Sequence, residues 1–386
     1  MSEQHDEREQ RVTPLELFFD LVFVFGFTQV TTVFSDNPTW GGLGHGLLIL
    51  ATLWWAWAAY AWLTNTVDPG LGAVWGAMLV AMAAMFVAAL AVPEAFGSHG
   101  VVFGVSFLIV NVMHLALYAL GVRGDRDLLA AIRRIAPLSL GGSAIIVGAG
   151  FAHGPLRPIL WLAALAVGLF GPLFSGTSGW RVQPAHFIER HGLIVIIAIG
   201  ESLIAIGLGV RATRLDAAEI FAAVLGLVVV ISFWIAYFDF FPIRAQQLLS
   251  DRSGAQRVAL ARDAYTYLHL PMVMGIVLFA FAMKSTLAHV GDELDTIPAL
   301  GLCGGPALYL FAYVALRLRI SRTLGRGRVI AALACALLWP VALVVPALAA
   351  LALVAAVCVG LHVYEIVWWR EARARTRAGH PSVSPS

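Results

Sequence analysis

Polar residues along this chain do not alternate with apolar ones. They fall in short clusters that separate long apolar runs, near residues 15–33, 44–64, 71–92, 100–121, 134–151, 156–173, 191–210, 217–238, 264–284, 297–316, 329–346 and 348–369. A helix rising about 1.5 Å per residue needs about 20 mostly apolar residues to cross a hydrocarbon core about 30 Å thick. Most of the runs reach that length. Lipid offers no water to backbone N–H and C=O groups, so each run has to satisfy them internally as a helix. A transmembrane barrel would alternate lipid-facing and lumen-facing residues, and these runs do not. The pattern therefore predicts an all-α, polytopic integral membrane helix bundle of about twelve transmembrane helices. Two divisions are thin. His153-Gly154-Pro155-Leu156-Arg157 alone splits the fifth run from the sixth, and the last two part only around Pro346.

Composition agrees. Of 386 residues, 60% are hydrophobic and 12% charged, against about 25% charged in soluble domains. The net charge of +2 gives no reason to expect a nucleic-acid partner; the expected surroundings are a lipid bilayer and a small solute or ion. The position of the cations carries more information than their sum. If the N-terminus is inside, the outer segments hold Arg157, Arg211, Arg214 and Lys284, and the inner ones hold the other 21 of the 25 Lys and Arg residues. That bias predicts both ends in the cytoplasm of a bacterial cell, with the chain in the inner (plasma) membrane. One missed helix would scramble the alternation after it. The expected organisation is a cytoplasmic segment 1–14, a membrane domain 15–369, and a disordered cytoplasmic tail 370–386 rich in Arg, Ser and Pro. No removable signal peptide is expected. Cys303, Cys335 and Cys358 lie in apolar stretches without paired spacing and read as small buried hydrophobes.

The two halves, 15–173 and 189–369, resemble each other. Residues Asp20 to Gln29 align with Gly192 to Glu201 at an offset of 172, and Trp-x-x-Tyr recurs as Trp57/Tyr60 and Trp234/Tyr237. Six spans per half would make the repeats parallel. Apolar helices also resemble one another by composition alone, and both explanations stay open.

Ionisable side chains inside a bilayer are costly and usually face a bundle interior or a watery cavity. Glu201 stands out. Nine residues beyond Gly192, it lies about 14 Å along the seventh helix, near the middle of the hydrocarbon, flanked by Gly200 and Ser202. Gly200 is expected to let another backbone approach. Glu201 reads either as a proton or cation site or as a protonated structural acid. Glu16 and Asp20 are one turn apart on one face of the first helix, near its cytoplasmic end. They read as the mouth of a cation pathway or as carboxylates favoured by a helix N-terminus. Glu189, Arg190 and His191 open the seventh helix. Arg190 and Glu201, eleven residues apart, share a face after about 1100° of rotation. Asp239, at the end of the eighth helix, and Asp263 read as interfacial, and His114 and His269 as satisfied core histidines. Yet most of these groups fall in the cytoplasmic half, which implies a polar vestibule there. His186 is expected in a loop, and the Trp54, Trp55, Trp57 and Trp62 cluster in packing and interface belts. No His-Glu-x-x-His, Walker loop or dinucleotide fingerprint occurs, so neither a metal nor a cofactor is expected.

Two motifs carry a family resemblance. The first is Thr13-Pro14-Leu15-Glu16-Leu17-Phe18-Phe19-Asp20-Leu21-Val22-Phe23-Val24-Phe25. The second is Glu189-Arg190-His191-Gly192-Leu193 followed by Gly200-Glu201-Ser202. Standing in this order over nearly the whole chain, they resemble the bacterial low temperature requirement protein A (LtrA) family. The resemblance implies an integral membrane protein linked to growth in the cold and carries over no biochemical activity. Three functions compete: a proton- or cation-linked transporter or channel-like permease, an intramembrane enzyme acting on a lipid, and a non-catalytic protein of cold or stress adaptation. The span count and the midplane Glu201 favour the first. No catalytic motif supports an enzyme, which needs groups within about 3 Å of a reacting atom.

Overall fold

The structure is a computed structural model. It describes residues 11–377 apart from 69, 71, 123, 212–215 and 240, with side chains described as far as Trp368 except that of Arg211. The expected N-terminal segment up to residue 10 with Arg8, the charges Arg123 and Arg214, and tail residues 378–386 lie outside the described residues.

The described residues form fifteen α-helices: α1 Pro14–Asp36, α2 Trp40–Thr64, α3 Gly72–Ala91, α4 Gly100–Gly121, α5 Arg126–Phe151, α6 Leu156–Phe174, α7 Pro184–Arg211, α8 Ala217–Phe238, α9 Phe241–Ser250, α10 Gly254–Ala261, α11 His269–Ala288, α12 Thr296–Ser321, α13 Arg326–Leu337, α14 Trp339–Ala342 and α15 Ala347–Arg377. A 3₁₀ turn, Val92–Glu94, follows α3, and a π-helical stretch, Arg262–Tyr267, joins α10 to α11. The expected all-helical, multi-pass architecture is what forms. α15 continues as helix past Arg370, where the sequence placed the start of the tail.

Among the described residues, eleven helical segments are long and apolar enough to cross a membrane. The run 329–346, expected as one helix, is broken instead into α13 of 12 residues and α14 of 4. Pro340, at the start of α14, removes a backbone donor and ends the preceding helix. The broken pair still returns along α12. α13 starts shortly after α12 ends, and Trp339 Nε1 donates to Thr296 O, at the opposite end of α12, at 3.3 Å. The two pieces together thus run the length of α12.

The chain divides into two compact units. One comprises Met1–Ala198 and Ala245–Leu270, the other Ile199–Arg244 and Pro271–Ser386. This division differs from the repeat boundaries 15–173 and 189–369; α7 contributes its first half to one unit and its second half to the other.

In the first unit, α1 buries Glu16, Phe19, Asp20, Phe23, Phe27, Val30 and Phe34 along one stripe at helical spacing. Phe18 and Leu21 on the opposite side are 54% and 58% exposed. Such exposed apolar surface recurs on α3, α4 and α6; it is a liability in water and ordinary in lipid. Thr13 and Glu16 form a reciprocal capping box at the start of α1, with Pro14 in its first turn.

In the second unit, glycines bring α11 and α12 together. A Cβ added at Gly275 would stand 2.5 Å from Gly305 O, and one at Gly305 2.7 Å from Gly275 O. Close backbone approach of this kind suits helix packing in lipid. Gly200 does not take part: a Cβ there meets nothing within 4 Å, which corrects the expectation that it admits a neighbouring backbone. Gly305→Ala is accordingly expected to lower stability by about 1–3 kcal/mol through overpacking. Gly200→Ala should hold or raise it by about 1 kcal/mol through helix propensity. Denaturant unfolding of the purified protein in micelles measures both.

Candidate functional site

Two helices that run parallel face each other across a fully buried ladder. Glu16 and Asp20 on α1 meet His186 and Arg190 on α7, and both rungs join residues 170 apart in sequence. Equal offsets on successive turns require α1 and α7 to run in the same direction and in register, because i and i+4 lie one turn apart on one face. All four side chains are at most 1% exposed. On the first rung, His186 Nε2 lies 3.0 Å from Glu16 Oε1. On the second, Arg190 Nη2 donates to Asp20 Oδ1 at 2.9 Å. Arg190 Nε is also 3.8 Å from Glu16 Oε1. α2 adds a third wall, where Trp57 Nε1 donates to Asp20 Oδ1 at 2.8 Å and the guanidinium stands 5.9 Å from the Trp57 ring centre.

Hydrogen bonding assigns the state of His186. Asn65 Oδ1 accepts from Gln183 N at 2.8 Å, and Asn65 Nδ2 donates to Gln183 O at 3.1 Å. The backbone of residue 183 therefore fixes which way the amide points. The same Nδ2 stands 3.2 Å from His186 Nδ1, so Nδ1 accepts and Nε2 carries the proton given to Glu16. In this tautomer the imidazole is neutral. The ladder thus holds two acids and one permanent cation.

The two acids are not equivalent. Glu16 accepts from Thr13 N at 2.8 Å, Thr13 Oγ1 at 2.9 Å and His186, at the end of α1 where the helix dipole favours negative charge. Asp20 receives both of its donors on Oδ1, and its Oδ2 is buried without a hydrogen-bond partner. Arg190 Nε and Nη1 and His191 Nε2 share that condition. Orphaned buried polar atoms are uncommon and call for an explanation.

Beside the ladder, His191 donates from Nδ1 to Phe187 O at 2.8 Å and turns its ring toward Trp57, Tyr265 and His269, with centroids 4.9, 4.9 and 5.4 Å away. Tyr265 lies in the π-helical stretch, and His269 Nδ1 donates back to Ala264 O at 2.9 Å. One added residue per turn there re-aims these side chains; such bulges are frequent at functional sites.

Glu16, Asp20, Arg190, His191 and His269 therefore gather in one place. Glu189 does not: it is exposed, and its Oε2 accepts from Val12 N at 3.2 Å. His114 lies elsewhere in the first unit, on a cavity wall. Glu201, Ser202 and Asp239 belong to the second unit. Glu201 and Ser202 are fully buried there, and Ser202 Oγ approaches Ile276 O at 3.5 Å. Asp239 is the half-buried C-cap of α8. Among the described residues, no group of three or more His, Cys, Asp and Glu side chains is arranged to hold a metal.

Sequence reasoning missed several members. His186 is not in a loop: it sits in the first turn of α7, one turn before Arg190, and that i, i+4 spacing matches Glu16/Asp20. Trp57 is a donor to Asp20 rather than packing alone. The second unit hides another pair. Arg328 Nε and Nη2 meet Glu365 Oε1 and Oε2 at 2.6 and 3.2 Å, Arg328 Nη1 donates to Ala236 O at 3.0 Å, and the guanidinium lies 3.8 Å from the Tyr313 ring centre. This fork is fully partnered and cross-links α13, α15 and α8.

These features define a multi-pass helical membrane protein with a buried charge ladder. A family model described as bacterial low temperature requirement A protein (LtrA) matches residues 11–363; the chain belongs to this family. It is similar to a Rhizobium meliloti (strain 1021) protein described as uncharacterized protein RA0937, with 31% identity over 321 residues, 80% of this chain and 78% of the relative. No solved structure matches.

Two outcomes follow from the ladder. Arg190→Gln leaves the ladder's carboxylate buried without its cation and is expected to cost about 3–5 kcal/mol, while combining it with Glu16→Gln restores part of the loss; unfolding of the two single variants and the double variant in micelles measures the coupling. In ¹⁵N spectra of histidine-labelled protein, His186 should show the Nε2–H tautomer, and Asn65→Ala should release that preference.

Proposed function

We propose that the chain is a proton-linked permease of the bacterial inner membrane, with both termini in the cytoplasm. The observation that carries this reading is the dry ladder of two carboxyls and one guanidinium. An interior of low dielectric does not hold a surplus charge unpaired, so a proton or small cation has to balance the second acid. Asp20 Oδ2 is the acceptor left open for it, while Glu16 is saturated by donors. The ladder lies at the start of α1 and α7, the ends that the charge bias assigns to the cytoplasm. Glu201, in the second unit, is fully buried and serves in this reading as a second proton site. Ionisable residues within membrane spans commonly mark proton relays.

The test is reconstitution in liposomes carrying an internal pH indicator, under imposed proton, Na⁺ and K⁺ gradients. Vesicles with wild-type protein should dissipate at least one gradient several-fold faster than empty vesicles. Glu201→Gln and Asp20→Asn, checked for monodispersity, should each remove most of that excess. Protein-loaded vesicles as tight as empty ones to all three ions would count decisively against a permease.

A further inference from the structure

The first unit contains a cavity that the ladder does not use. It has a volume of about 100 Å³ and lies among α2, α4, α5, α6, residues 175–180 and the π-helical stretch. Three indoles, Trp55, Trp62 and Trp180, line it, and Asn111, His114 and Ser139 supply polar wall. Apolar cavities of this order accept a molecule of benzene size, and aromatic walls favour a flat ring.

The polar atoms specify more than size. His114 Nε2 stands 3.0 Å from Ala59 O. A carbonyl only accepts, so the proton sits on Nε2 and Nδ1 bears a lone pair. His114 is 7% exposed, and Nδ1 has no hydrogen-bond partner. Nearby, Ser139 Oγ gives its only proton to Asn111 Oδ1 at 2.9 Å, and Asn111 Nδ2 donates to Phe107 O at 3.0 Å. The wall therefore presents a buried acceptor in need of a donor; Tyr118 Oη and Ser175 Oγ, also without a hydrogen-bond partner on this lining, can each donate or accept and impose no such demand. Among the described residues, Arg262 alone brings a charge to the lining, and no carboxylate stands there to attract a cation. Asp263 neutralises that arginine, with Nε and Nη2 at 2.9 and 2.8 Å from Oδ1.

We propose that this cavity binds a small neutral arene carrying one O–H or N–H donor, of the phenol or indole class, with His114 Nδ1 accepting that hydrogen bond. The site stands independently of proton-linked transport.

Calorimetric titration of the full-length protein in micelles, with 4-ethylphenol and its methyl ether 4-ethylanisole as probes and protein-free micelles as blank, tests it. The two probes share size and apolarity and differ in the donor. The phenol should bind about tenfold more tightly, the effect of leaving one buried acceptor unmatched. His114→Phe should bring the two affinities within about twofold, and Ser139→Leu, which fills the cavity, should abolish saturable binding of both. The proposal is overturned if wild-type protein takes up no phenol beyond the blank or binds both probes equally, or if the phenol preference survives in folded His114→Phe. Should His114→Phe not fold, the wild-type ratio together with Ser139→Leu decides: a tenfold preference that Ser139→Leu abolishes upholds the site, and a preference that Ser139→Leu leaves intact overturns it.

Discussion

Two acids, one guanidinium and one neutral imidazole, sealed between α1 and α7, constrain the first unit more than any other contact. Taking carboxylates and a guanidinium out of water is expensive, and only close geometry with further hydrogen bonds offsets it. The geometry here meets that demand at Glu16, which three donors surround, and falls short at Asp20 and Arg190, where one oxygen and two nitrogens make no hydrogen bond. The same contacts settle packing. Equal offsets on the two rungs hold α1 and α7 parallel. Trp57 orients α2 by its bond to Asp20, and Asn65, at the far end of α2, locks the first turn of α7 through His186 and the backbone of residue 183.

Much of this was legible because charge inside an apolar run is conspicuous. Glu16, Asp20 and Arg190 could be named from the sequence for that reason, and the helical spacing of 16 and 20 already put both acids on one face. Their pairing was not legible. Partners 170 residues apart leave no local trace, and His186 precedes the apolar run, so that it read as loop. Trp57 looked like one of several membrane tryptophans, since a sequence does not reveal that one indole N–H finds a carboxylate. Arg328 was only one of the inner cations in the charge count, with no hint of Glu365. The break between α13 and α14 had its signal in Pro340, whose effect hydropathy alone does not register.

The π-helical stretch links the ladder and the cavity within the first unit. Thr266 O accepts from Trp54 Nε1 at 2.8 Å, and Thr266 Oγ1 from Trp62 Nε1 at 2.9 Å. Trp54 lies against Trp57 and His191 on the ladder side, while Trp62 and Thr266 line the cavity. A single irregular turn therefore touches both the ladder and the cavity wall, each with buried polar atoms that stay open. Membership of the low temperature requirement A family accounts for the fold without naming a chemistry; the chemistry has to be read from these atoms.

The central claim is that Asp20 holds the exchangeable proton of the ladder. Infrared difference spectra recorded across a pH jump on wild-type protein, Asp20→Asn and Glu16→Gln test it most directly. A carboxylic-acid carbonyl component present in the wild-type difference spectrum, missing from that of Asp20→Asn and retained in that of Glu16→Gln is the predicted result. Wild-type and Asp20→Asn spectra with the same carbonyl components would contradict it.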